Sequence, residues 1–405
     1  MKLKELILIS IGALSFLLIT GIAKADGFFM STKIEQEFNS LPLDHKKSTC
    51  GLNDYNKGPD IDYAWEVINQ DLAYEIKGYN SRMDNKEEVL GSHSEDVFND
   101  YSNLLLYAYV TQDKKLKEQL FSKLHTWAEA KALTGTTTCY NRNPNDKVRA
   151  HCENEWSDPD GQDLAPIKDS YQSLIIVFGL NYSYDVVFRD FKPNDPRHEV
   201  IKKWFKSFYK KIPPSIDFYW GNQMAWFLPN TFARYQKGQK YEGSIKSMIK
   251  KADRHILKDG SMKDRTTRGN NALWYHHTAI GEAFTVLEMA YAADIELPKN
   301  YEKELLLAVE LFHNAMLDNS YITPWAKKGL RGQFNKDRPD YQNFPLSLDH
   351  ITYGGTWMFQ MQYRYPNHPT SVWLSESLSY FAESLRTDVS VGFPMGCIYA
   401  AIANK

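Results

Sequence analysis

The residues best suited to chemistry sit in one stretch, Asp259-Gly260-Ser261-Met262 followed by Arg268-Gly269-Asn270-Asn271-Ala272-Leu273-Trp274-Tyr275-His276-His277. Asp259-Gly260 reads as a turn. Arg268 and Tyr275 are two helical turns apart, so a continuous helix would set both on one face. A guanidinium beside a phenol favours the phenolate, and such a phenol can take a proton and later return one. The second stretch is Trp220-Gly221-Asn222-Gln223-Met224-Ala225-Trp226. Asn222 and Trp226 lie one turn apart at a helix start, where an amide and an indole facing a cleft could hold a carboxyl group and a sugar ring. Each residue also has a structural reading. Asn222 could be a helix N-cap, Trp226 could be core, and Tyr275 and His276 could be buried and satisfied by hydrogen bonds. Adjacent helix positions point about 100° apart, so at most one of His276 and His277 shares the cleft of Tyr275. Structural support is the favoured role for His276, and an ordinary hydrogen-bonded role for His350.

Helices must position these groups, because helical periodicity dominates the chain. Leu116, Leu120, Leu124 and Trp127 recur at helical spacing, as do Ile201, Trp204, Phe205 and Phe208, and Leu305, Ala308, Val309 and Phe312. Further helices are expected over about 60–77, 96–111, 168–188, 222–236, 241–257, 271–293 and 373–385. Alternating strands are scarce, and Pro213-Pro214, Pro229 and Pro298 punctuate the pattern. No repeat of solenoid length recurs. The pattern predicts an all-α fold of antiparallel helical hairpins around one core, with an α/α barrel as first choice. Three polar stretches interrupt it: Gly78–His93 with Arg82, Asp84 and Lys86, then Thr134–Gly161, then Lys327–Asn343. Long loops over a helical scaffold either line a site or are solvated excursions. Gly78–His93 is read as a lid.

The first residues predict export. Lys2 and Lys4 precede an apolar run from Leu6 to Ile22, and Ala23-Lys24-Ala25 offers a small-x-small cleavage site. Residues 1–25 are therefore expected to be a signal peptide and 26–405 a single domain, periplasmic or secreted, monomeric and without stable membrane association. The rival reading is a retained anchor. Four cysteines, Cys50, Cys139, Cys152 and Cys397, would then meet an oxidising compartment and permit three pairings. Cys139 and Cys152 flank a polar loop and are the expected local pair. No CxxC occurs, and neither metal nor cofactor is expected. Lys and Arg number 48 against 50 Asp and Glu, which gives no support to nucleic-acid binding. A polyanionic partner would need a local basic cleft.

The string Asp259-Gly260, then Arg268-Gly269-Asn270-Asn271-Ala272-Leu273-Trp274-Tyr275-His276, resembles the signature of the mannuronate-specific alginate lyases, polysaccharide lyase family 5 and its relatives. Trp127-Ala128-Glu129-Ala130-Lys131-Ala132-Leu133 resembles the family's Trp-Ala-x-Ala-x-Ala-Leu helix, and Asn222-Gln223-Met224-Ala225-Trp226 resembles its Asn-His-x-x-Trp segment. The similarity runs thinly from about residue 60 to 320. It implies an incomplete α/α barrel, or toroid, with a deep cleft, and an enzyme acting on an acidic polysaccharide. It places the catalytic tyrosine on Tyr275, the arginine on Arg268 and the asparagine on Asn222. Substrate-binding roles would fall to Gln223, Trp226, Trp220, His276 and Arg82. One departure matters: the family's histidine after the asparagine is Gln223 here, and an amide neither accepts nor delivers a proton at neutral pH.

β-Elimination removes the C5 proton of a uronate and expels the oxygen at C4. Asn222, Gln223 and Arg268 would stabilise charge building on the carboxyl oxygens, while Tyr275 would take the C5 proton and protonate the leaving oxygen. In β-mannuronate and β-glucuronate both groups lie on one face, so a single residue suffices; guluronate requires a second. A glucuronan or mixed-polyuronate lyase is the neighbouring reading. A helical-barrel glycoside hydrolase using Asp259 and Glu282, or a binding protein without catalysis, are readings of other classes. With Gln223 in place of histidine, polymannuronate or glucuronan should be cleaved and pure polyguluronate should resist. Ultraviolet absorbance of the new double bond checks this, and polyguluronate cleavage lost on removing His276 or His350 would contradict it.

Overall fold

Residues at helical spacing need a neighbouring surface to bury them, and the observed architecture supplies one for each pattern. The computed structural model describes residues 27–52, 59–76, 90–136, 165–209, 242–263, 265–328, 340–344, 355–377 and 395–405. Thirteen helices are named here: α1 Thr32–Ser40, α2 Leu43–Thr49, α3 Pro59–Ile68, α4 Leu90–Thr111, α5 Lys114–Glu129, α6 Ala165–Ser183, α7 Arg197–Tyr209, α8 Glu242–His255, α9 Ala272–Ala292, α10 Tyr301–Leu317, α11 Thr356–Arg364, α12 Pro369–Ser377 and α13 Met395–Ala403. Among the described residues the β-structure is one isolated bridge, Ile256 with Met262.

Chain neighbours pack as hairpins: α3 on α4, α4 on α5, α8 on α9, α9 on α10 and α11 on α12. The fold is an incomplete α/α toroid. Leu116, Leu120, Leu124 and Trp127 are buried, as are Ile201, Trp204, Phe205 and Phe208, and Leu305, Ala308, Val309 and Phe312. All belong to one continuous core cluster.

The structure corrects several boundaries. α3 ends at Ile68 rather than 77, because Asp71 takes a left-handed backbone (φ 67°) and starts an irregular segment. Leu90–His93, read as the end of a polar loop, is the first turn of α4. α12 begins at Pro369 rather than 373, and residues 378–385 of that expected helix lie outside the described residues. The expected leader 1–25, the helix 222–236 and the body of the proposed lid lie outside the described residues.

The first and last described helices meet. α1 and α2 pack on α13, and Cys50 is bonded to Cys397 across 347 positions. His45 Nε2 donates to the Ala401 carbonyl at 2.8 Å beside that bridge. Cys139 and Cys152, the expected local pair, lie outside the described residues; of the three pairings open to the sequence, this bridge leaves that one. A covalent tie across so long a loop restricts the unfolded chain strongly. On the far part of α9, Glu288 is almost fully buried, receives two bonds from Arg364 (2.8 and 2.6 Å) and one from Tyr399 (2.7 Å), and so joins α9 to α11 and α13. No described helix is long and apolar enough to cross a membrane.

Cys50→Ser should therefore cost about 2–4 kcal/mol of unfolding free energy, read by denaturant titration under oxidising conditions. An unchanged midpoint would show that helix packing alone holds α1 and α2 on α13.

Candidate active site

The candidate site is built at the start of α9. This helix is buried around most of its circumference: Ala272, Leu273, His276, His277, Ala279, Ile280, Gly281 and every residue from Ala283 to Ala290 are inside. Trp274, Tyr275, Thr278 and Glu282 are only half-buried. Tyr275, Thr278 and Glu282 follow the i, i+3, i+7 rule, so they form one stripe along the helix. In the first three turns of α9 this stripe fixes what can reach a ligand.

Arg268 is not in the helix with Tyr275, which corrects the expectation of a continuous two-turn face. A 3-10 turn, Gly269–Asn271, precedes Ala272, and Gly269 has φ 58°, a conformation natural to glycine. The chain therefore bends, and Arg268 lies over the aromatic ring of Tyr275, with its guanidinium carbon 3.9 Å from the ring centroid. Arg265 approaches the same ring at 5.8 Å. Both arginines are buried, at 5% and 8% exposure. The contact is cation on π-face, which orients the ring and places positive charge beside it. Arg265 also donates to Glu282, at 3.3 Å. Burial pushes the Glu282 carboxyl up to about 7, against the opposing pull of Arg265 and Arg268.

The loops around this point are pinned to one another. Asp259-Gly260 is the turn that the sequence indicates: Gly260 has φ +77°, and a Cβ there would stand 2.5 Å from the Leu307 carbonyl oxygen of α10. Asp259 accepts from Ser261 and, through its other oxygen, from the Trp325 indole at 2.9 Å. Those contacts tie the connection before α9 to the turn after α10, so both lie at the same end of the toroid. Segment 340–344 docks there too. Asn271 provides no side-chain cap for α9, and the side chain of Gln342 substitutes. Its oxygen accepts from the Leu273 amide at 2.9 Å, and its nitrogen donates to the Gly269 carbonyl at 3.1 Å. Asn343 N donates to the Asn270 carbonyl at 2.6 Å. Asn270 Oδ1 is buried with no hydrogen-bond partner among the described residues.

His276, for which the sequence favours structural support and the resemblance a place at the substrate, is fully enclosed. The Thr266 hydroxyl lies 2.8 Å from Nδ1, and Nε2 lies 2.9 Å from the Ala308 carbonyl. That carbonyl can only accept, so Nε2 carries the proton and Nδ1 accepts from Thr266. Thr266 in turn accepts from the Met262 amide at 2.7 Å. Burial holds His276 down, at about 4. His277 is also fully buried, and its Nδ1 accepts from the Trp357 indole at 3.1 Å. Neither histidine shares the stripe. Asp259 and Glu282, the carboxylates considered for hydrolysis, are each committed to different partners.

Asn222, Gln223, Trp226, Trp220, Arg82 and His350 lie outside the described residues. Sequence reading missed Arg265 and Gln342. Arg265 left a faint signal, a second arginine three positions before Arg268. Gln342 left only its place in a polar loop. Among the described residues no group of His, Cys, Asp and Glu could hold a metal ion.

No protein-family model and no curated protein matches the chain. Among solved structures it is similar to alginate lyase A1-III from Sphingomonas species A1, at 13% identity. The match covers 92% of this chain and 96% of that one, with a TM-score of 0.56. At that identity the likeness is one of fold.

The depressed value of His276 has a checkable sign. Its contribution to stability is complete above its ordinary value of 6.5 and is lost as pH falls toward about 4. In a histidine NMR titration the ring of His276, identified by its absence in His276→Gln, should stay neutral through the mildly acidic range. A midpoint near its ordinary value would contradict this burial.

Proposed function

We propose that this protein is a polysaccharide lyase that cleaves a polyuronate by β-elimination, with Tyr275 as the proton-transfer residue. The observation that carries the reading is the stack of Arg268 on Tyr275, 3.9 Å from the ring centroid, on the uncovered stripe of α9. The likeness in fold to alginate lyase A1-III, whose name states its substrate, supports it, as do the motif residues Asp259, Gly260, Arg268, Tyr275 and His276.

The chemistry follows from the arrangement. The C5 hydrogen of a uronate is weakly acidic until its carboxylate is neutralised, and the buried guanidinium of Arg268 supplies positive charge where that negative charge builds. Tyr275 as phenolate takes the C5 proton. The electron pair of the broken C–H bond forms the C4=C5 double bond, and the C4–O bond breaks. The phenol then gives its proton to the departing oxygen, which regenerates the phenolate. Asn222 and Gln223, assigned by resemblance, would hold the carboxyl group, and Trp220, Trp226 and Arg82 the neighbouring sugars. Polymannuronate is the leading substrate and glucuronan the next. The chain is proposed to act as an exported monomer, residues 26–405 forming one domain after loss of the leader.

The carboxylates argue against the hydrolase reading. Asp259 has both oxygens engaged, by Ser261 and Trp325, and Glu282 is held by Arg265. Purified protein on polymannuronate, polyguluronate and glucuronan should release products that absorb ultraviolet light. Tyr275→Phe should fold and lose at least about a hundredfold in turnover, the lower range for general acid–base catalysis. A folded phenylalanine variant with near-normal rate would remove Tyr275 from the mechanism.

A further inference from the structure

Glu282 is the carboxylate on the uncovered stripe of α9, and neither the motif nor the elimination chemistry has a use for it. It stands two turns beyond Tyr275, and helical side chains lean toward the N-terminus, so it reaches back toward the ring. Between the two lies Arg265, 3.3 Å from a Glu282 oxygen and 5.8 Å from the Tyr275 ring centroid. Carboxylate, guanidinium and ring thus form a continuous series, and Arg268 adds a second guanidinium at 3.9 Å from the same ring.

With two arginines nearby, an ordinary buried pair would hold its carboxyl low, yet burial outweighs them and pushes Glu282 up to about 7. Its folded value lies above the unfolded one, so the stability present in acid is lost as pH rises through about 7. The ionised form therefore costs the fold something. Charged groups kept at such a cost cluster at functional sites.

Resting on the lyase reading, we propose that Glu282 is a positioning residue, which through its ion pair fixes Arg265 beside Tyr275 and so holds the reacting phenol in place. The pair is at full strength only when Glu282 has lost its proton. The brace therefore engages as pH rises through neutrality and slackens below it.

Among the described residues, other charged and titratable groups stand around this face. Arg265 and Arg268 come from the connection before α9. His255, at the end of α8, and Lys263 line the same crevice as Arg265, Ala279 and Ala283. On α9 itself His276 is buried and held near 4, bonded to Thr266 and to the Ala308 carbonyl of α10. His277 is enclosed by Phe312 of α10, Phe344 and Trp357 of α11. Arg364 of α11 is committed to Glu288, farther along the helix. His255 is the neighbour whose ordinary range overlaps that of Glu282, so the test includes it.

Tyrosine labelled with 13C on the ring supplies a reading independent of turnover, with the Tyr275 signal identified by its loss in Tyr275→Phe. In the unaltered protein that signal should move between about pH 6 and about pH 8, around the neutral midpoint of a raised carboxyl. The movement should vanish in Glu282→Gln, persist in Glu282→Asp and persist in His255→Gln. On a cleaved polyuronate, Glu282→Gln should lower kcat by about tenfold to a hundredfold through misplacement of the ring. KM should change little, the rise of rate through neutrality should disappear, and Glu282→Asp should restore part of the rate. A Tyr275 signal that does not move in the unaltered protein overturns the proposal, as does movement that survives Glu282→Gln or disappears in His255→Gln. Should Glu282→Gln fail to fold, the unaltered protein, Glu282→Asp and His255→Gln still decide. If no polyuronate is cleaved, the lyase reading fails while the ring titration still settles the brace.

Discussion

Helix α9 is enclosed by its neighbours around nearly its whole circumference, and this enclosure governs what the molecule can do. Close packing in a core leaves no room for a ligand, so in the first three turns of α9 the stripe of Tyr275, Thr278 and Glu282, with Trp274 beside it, is what can face one. His276 and His277, adjacent to the tyrosine in sequence, are turned inward by the same helical geometry and spent on the scaffold. Placing Tyr275 on the uncovered side is thus a consequence of burying its neighbours.

Everything at this end of the toroid depends on that helix start being held. α9 begins without a local side-chain cap, and Gln342 supplies the missing acceptor from far along the chain. The left-handed turn at Gly269 lets Arg268 double back over the ring, and the Asp259–Trp325 bond fixes the preceding connection to the end of α10. These links join loops from three parts of the sequence, which is how a helical scaffold makes a rigid site from irregular chain. At the perimeter, the Cys50–Cys397 bond and the packing of α1 and α2 on α13 join the first described helices to the last.

Much of this was legible in the sequence, for identifiable reasons. Amphipathic periodicity at Leu116–Trp127, Ile201–Phe208 and Leu305–Phe312 marks buried faces directly, so the all-α class and the positions of those helices could be read. Asp259-Gly260 declared its turn because few residues tolerate its backbone. The α9 stripe could not be read, since almost every position of that helix is apolar or small and no periodic contrast remains. The relation of Arg268 to Tyr275 was half-legible. Their proximity was expected, but the route is a glycine-bent turn rather than one helical face. The Gln342 cap and the Glu282–Arg265 pair depend on tertiary contact alone. Arg265 differs from other surface-type arginines only in what the fold brings beside it.

In the proposed lyase, Tyr275, framed by Arg268, meets the C5 hydrogen of a bound uronate. A crystal structure of the Tyr275→Phe variant with a mannuronate oligomer tests this most directly. The expected complex has a sugar whose C5 lies within about 3 Å of the position the phenol oxygen would occupy, a proton-transfer distance, with its carboxylate toward Arg268. An oligomer bound away from the α9 stripe, or with C5 turned from residue 275, would contradict it.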